Sequence, residues 1–184
     1  ALLVTYVILM IKEHKLSALS IIIMGAGFFL TGLLPSFSGL IFTTLVMSFG
    51  FHYYETTNQS LTLQYFDKLT SPLVFSQQRS YAAVANIVVG ILIFVIAPLL
   101  SYKAMYIFFG SLIIAGGIWA ITKNPARKGI LLQKKKLILK KRYWLYYFLT
   151  FMAGARRQIF MAFAVFLLVK KFGFSVQDIT LLFI

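Results

Sequence analysis

A chain of 184 residues that is 60% hydrophobic, with mean hydropathy +0.88, carries more apolar surface than a soluble domain of this size can bury, so it reads as an integral membrane protein. Its net charge of +14 does not point to nucleic acid, because the cations lie between apolar spans and not along one soluble face. The absence of cysteine excludes disulfides and thiol chemistry.

In chain order, residues 1–11 read as the tail of one span, ended by the charged turn Lys12-Glu13-His14-Lys15. Leu16 to Leu34 is a span whose Gly25, Gly27 and Gly32 permit close helix contact. A short uncharged turn at Pro35–Gly39 leads into a helix over about 38–64. Tyr65 to Gln78 reads as a loop, and Arg79 opens a span that ends near Pro98. Ala104 to Thr122 crosses back, with Ser111 and Ala115 as a small-xxx-small pair beside Gly116 and Gly117. Tyr143 to Val169 is a further span, and Ser175-Val176-Gln177-Asp178 has the pattern of a helix cap with an acid three residues on. The chain opens inside an apolar run and closes at TLLFI, which predicts a piece of something longer.

The helix over 38–64 is the informative one. Ser48, His52, Glu55, Gln59 and Thr62 step by four, three, four and three, which puts them on one face. Such a stripe is tolerated in hydrocarbon only against protein or water, so it predicts the wall of a polar cavity. The other ionisable groups deep in a span are Arg156 and Arg157. An arginine at a helix centre costs on the order of 2.5–3.5 kcal/mol on insertion scales, so a partner or water is expected there.

Orientation follows from the Lys and Arg count in alternate loops. One set holds Lys12, Lys15, Lys68, Arg79 and the nine cations from Lys123 to Arg142; the other holds Lys103, Lys170 and Lys171. Thirteen against three puts the Lys123 to Arg142 segment in the cytoplasm, against anionic lipid headgroups. Leucines and isoleucines between its lysines suit a segment lying on the inner leaflet. The neighbouring Tyr143, Trp144, Tyr146 and Tyr147 resemble an interfacial belt.

Together these features resemble the major facilitator superfamily of secondary transporters. GFHYYETTNQSLTLQYF, then a loop and Arg79-Ser80-Tyr81-Ala82, look like that family's fourth helix and the start of its fifth; FGFSVQDITLLF resembles the start of the eighth. The resemblance implies an all-α polytopic transmembrane bundle, truncated at both ends and covering roughly the second to the eighth helix. Residues 1–122 would belong to the N-terminal half, 123–142 to the central cytoplasmic loop and 143–184 to the C-terminal half. The signature between the second and third helices survives only as Lys12-Glu13-His14-Lys15. In the fifth helix Ile93 and Ala97-Pro98 replace the glycines linked with antiporters, so antiport gets no support. The family plan also implies that the fourth and seventh helices line a central cavity, and these are the two spans with ionisable residues inside.

The expected substrate site is therefore His52, Glu55, Gln59, Arg156 and Arg157, with Ser48, Asn58, Thr62, Tyr146, Thr150 and Gln158 lining the cavity. An arginine can grip an anionic group bidentately. Equally, Arg157 can form a buried ion pair with Glu55, and the two readings can coexist if substrate breaks the pair. A carboxylate taken out of water holds its proton more tightly, which makes Glu55 a candidate for proton coupling; a carboxylate satisfied by nearby Thr and Asn is the plainer reading. His52 reads first as a hydrogen-bonded pocket histidine. Asn58, Gln59 and Gln64 line the cytoplasmic half or act as glue between helices.

No metal or cofactor is expected, since His52 and Glu55 lack further ligands and no catalytic or nucleotide-binding motif is present. The chain is expected to be no enzyme but a carrier of a small solute, ion- or proton-coupled, in a bacterial cytoplasmic (inner) membrane. A lipid-handling protein or membrane enzyme with a polar groove, and a small oligomeric channel, are the alternatives.

Overall fold

A computed structural model describes residues 13–123 and 140–183, and among these the chain is helical throughout, with no strand. The helices are α1 (Glu13–Leu33), α2 (Phe37–Tyr65), α3 (Ser71–Ile96), α4 (Tyr102–Thr122), α5 (Trp144–Phe172) and α6 (Val176–Phe183), with a 3-10 turn at Lys141–Tyr143 before α5. Three of them, α1, α3 and α4, are long and apolar enough to cross a membrane. At 29 residues α2 is long enough as well, but its polar residues dilute its hydropathy.

Helix ends follow local chemistry. Ser36 caps α2 by accepting from the N–H of Gly39 at 3.1 Å, and Ser101 caps α4 by accepting from that of Ala104 at 3.3 Å. Gly173, at φ +67°, closes α5 in the left-handed region that favours glycine. The Ser175–Asp178 cap forms as its spacing predicts: Ser175 Oγ accepts from the Asp178 N–H at 3.2 Å, and Asp178 accepts from that of Ser175 at 2.8 Å.

The largest departure lies in the expected loop from Tyr65 to Gln78, most of which is helix. Asp67 organises a turn by accepting from the Thr70 N–H at 2.7 Å, and Ser71 donates to the Asp67 carbonyl at 2.6 Å. Pro72 falls in the first turn of α3, where a missing N–H leaves no hydrogen bond unmade. The proline therefore starts the helix instead of excluding it. Similarly, Glu13 opens α1, where an acid suits the positive helix end, and does not belong to a preceding turn.

The chain divides into two compact units, Ala1–Ala82 with Leu100–Lys136, and Ala83–Leu99 with Leu137–Ile184. In the first unit α1 packs against both α2 and α4. Ser20, Met24 and Gly27 meet α2, with Met24 and Ser20 against Gly50 and Gly27 against Met47. A second stripe of α1, namely Ala18, Ile22, Gly25, Phe29 and Gly32, meets α4 at Gly117, Ile114, Gly110 and Ile107. Both stripes step by three and four, the spacing that keeps one seam facing a neighbour over several turns.

Glycines let these backbones approach. A Cβ on Gly50 would stand 2.5 Å from the Met24 nitrogen, and one on Gly110 would stand 2.5 Å from that of Phe29. On α4 the close contacts use Gly110 and Gly117, whereas Ser111, Ala115 and Gly116 are exposed. The hydroxyls buried at this packing are satisfied within their own helices: Ser20 donates to Leu16 O at 2.7 Å, Thr31 to Gly27 O at 2.8 Å and Thr57 to Tyr53 O at 2.8 Å.

Candidate functional site

On α2, one face is given over to packing: Thr43, Gly50 and Thr57, seven residues apart, are buried, and Gly50 lies on α1. Most of the polar stripe points elsewhere. Ser48, His52, Glu55 and Gln59 are exposed, while Thr62 is buried and donates to the Asn58 carbonyl at 2.9 Å. His52 Nδ1 stands 4.0 Å from Glu55 Oε2, with 61% and 52% of the two side chains accessible. A contact so exposed contributes little to stability. Thr56 donates to the His52 carbonyl at 2.8 Å, and Asn58 donates to Gln78, so these neighbours direct those hydrogen bonds away from Glu55.

A groove of about 730 Å³ runs between α2 and the first part of α3. Its polar lining is Glu55, Asn58 and Gln59 from α2 with Gln78 and Arg79 from α3; Phe51, Tyr54, Phe75 and Tyr81 supply apolar and aromatic walls. Gln78 ties the two helices together. Its Oε1 accepts from Asn58 Nδ2 at 3.1 Å and its Nε2 donates to Thr62 Oγ1 at 3.3 Å. Arg79, one residue on, is exposed and forms no ion pair among the described residues.

Expected cavity residues thus have different surroundings. Glu55, Asn58 and Gln59 share the groove; His52 and Ser48 continue their face of α2 without lining it; Thr62 serves the interhelical hydrogen bond. Gln64 is used to join helices, donating to Glu13 of α1 and, at 3.1 Å, to Ser60; Ser60 reaches the same Glu13 oxygen at 3.5 Å.

The second unit contains Arg156 and Arg157. Arg156 is exposed on α5, on a face with the apolar Met152, Ile159, Phe163 and Leu167. Tyr146 and Thr150, nearer the start of α5, are exposed, and Tyr146 makes an edge-to-face contact with Tyr147 at 6.0 Å. The side chains of Arg157 and Gln158 lie outside the described residues, and with them the expected Glu55–Arg157 pair. Most of the basic segment, 124–139, lies outside them too. At its start, Lys123 Nζ sits 5.2 Å from the centre of the Trp119 ring.

Two groove residues, Gln78 and Arg79, were not among the expected site residues, because Tyr65 to Gln78 reads as loop and Arg79 as a loop-end cation. The pattern that finds them is Ser71-Pro72 as a helix start, which brings Gln78 onto the helix at a level where an amide can meet Asn58. No family model, curated protein or solved structure matches the chain.

Proposed function

We propose that this chain is part of a secondary transporter that moves a small solute carrying an anionic group across a membrane by alternating access, coupled to a proton or another ion. The observation that carries this reading is the groove: a carboxylate, a guanidinium and three amides line one side of a unit that includes two helices apolar enough to cross a bilayer, α1 and α4. Polar groups within a spanning bundle are expensive and are kept where a polar ligand or ion passes. Arg156, exposed among apolar side chains, is a second group suited to an anion. Glu55 is the carboxylate available for coupling. The cations from Lys123 to Arg142 fit a cytoplasmic loop against anionic lipid.

The test is uptake by proteoliposomes containing the protein, screened over solutes with and without an anionic group. Glu55→Gln and Arg79→Gln should each lower uptake by an order of magnitude or more while membrane insertion is unchanged. Normal transport by both variants would refute the site assignment.

A second reading is favoured by the aromatic walls of the groove. Phe51, Tyr54, Phe75 and Tyr81 beside Glu55 and Arg79 suit a lipid with its headgroup in the polar part. On that reading the reconstituted protein moves or turns over labelled lipid and takes up no soluble solute.

A further inference from the structure

We infer that the groove between α2 and the first part of α3 binds a small zwitterion, its ammonium on Glu55 and its carboxylate on Arg79. This rests on the transporter reading for its biological setting, and names the class of solute that reading leaves open.

Charge placement carries the inference. Glu55 and Arg79 line the same groove and are not paired with each other. Arg79 has no ion pair among the described residues, and the contact of Glu55 with His52 is long and exposed. A lone anion would meet the Glu55 carboxylate as well as the guanidinium, and a lone cation would meet the reverse. A single ligand carrying both signs satisfies both groups at once, each through a charge-assisted hydrogen bond.

The amides set the spacing. Glu55 precedes Asn58 by three residues, roughly 4.5 Å of helix rise. Asn58 is hydrogen bonded to Gln78, the immediate neighbour of Arg79. Glu55 therefore lies about one helical turn along α2 from the bridge that seats the neighbour of Arg79, and an amine and a carboxylate joined by a few carbons suit that spacing. Gln59 lines the space as a neutral donor and acceptor, and Phe51 and Phe75 can cover the methylenes.

Thermal stability of the purified full chain should be measured with glycine, β-alanine and γ-aminobutyrate, and with butyrate and butylamine as single-charge probes. One of the zwitterions is expected to bind on the order of tenfold more tightly than either single-charge probe. Glu55→Gln should remove the advantage over butyrate, and Arg79→Gln the advantage over butylamine. Such reciprocal losses of selectivity are something a misfolded variant cannot produce. Should either variant fail to fold, Glu55→Asp and Arg79→Lys should keep zwitterion binding and change the preferred chain length.

Equal binding of zwitterions and single-charge probes, no binding of any probe, or unchanged selectivity in both neutral variants would overturn the inference. Selective zwitterion binding without uptake into proteoliposomes would uphold it and defeat the transporter reading instead.

Discussion

Asn58 donates to Gln78 at 3.1 Å across the gap between α2 and α3, and Gln78 passes the connection on to Thr62 at 3.3 Å. Through this relay the amide of Gln78 holds the start of α3 against the polar side of α2. It is therefore a positioning residue for Arg79.

Replacing Gln78 by Ala should cost about 0.5–1.5 kcal/mol of stability, the ordinary range for an intramolecular hydrogen bond. Its effect on ligand affinity should be larger than that small loss suggests, because Arg79 is no longer held. Gln78→Glu should retain the contact with Asn58 but weaken anion binding through its added negative charge. Affinity and melting temperature, measured together, separate the two effects.

The glycines at the α1 seams make a sharper stability prediction. Gly50→Ala and Gly110→Ala each bring a methyl against backbone that can yield only by moving a helix, so each should destabilise by about 1–3 kcal/mol. Gly116→Ala meets nothing within 4 Å and should be neutral or slightly stabilising through helix propensity. Thermal unfolding of the three variants in the same detergent provides the comparison.

Glu13, Ser60 and Gln64 form a polar clamp between the first turn of α1 and the last turns of α2. Because Gln64 donates to a carboxylate, Glu13→Ala and Gln64→Ala should be non-additive, with a coupling of about 1 kcal/mol. A double-mutant cycle on unfolding measures it. Additive effects would mean that the clamp does not stabilise the α1–α2 contact.

Asp67 lies outside the spanning helices, and its carboxyl is held below the usual aspartate range, first by the Thr70 hydroxyl and then by the Thr70 backbone N–H. A depressed folded-state pKa means stability that is fully present above the unfolded value of about 3.9 and is lost as pH falls through the folded value. Thr70→Val removes the hydroxyl contribution. It should raise the Asp67 pKa, seen by carboxyl-carbon NMR, and reduce the stability difference between neutral and acidic pH.

Much of the helical layout is legible in residue order. Apolar runs longer than about 18 residues announce spanning helices. The Ser175 and Asp178 spacing defines a cap because both partners lie within one turn, and the four-three steps of Ser48, His52, Glu55 and Gln59 set one exposed face of α2. These are local relations, carried by helical periodicity and by groups a few residues apart.

Contacts between helices required the fold. Whether Thr62 faces a cavity or accepts from Gln78, whether Gln64 lines a space or binds Glu13, and whether Gly110 or Ser111 faces α1 depend on rotations and depths that a single helix leaves free. Residue order specified which polar groups the chain carries within its helices. Tertiary packing selected which became interhelical hydrogen bonds and left Glu55 and Arg79 unpaired with each other in one groove, because those choices turn on the approach of backbones from distant parts of the chain.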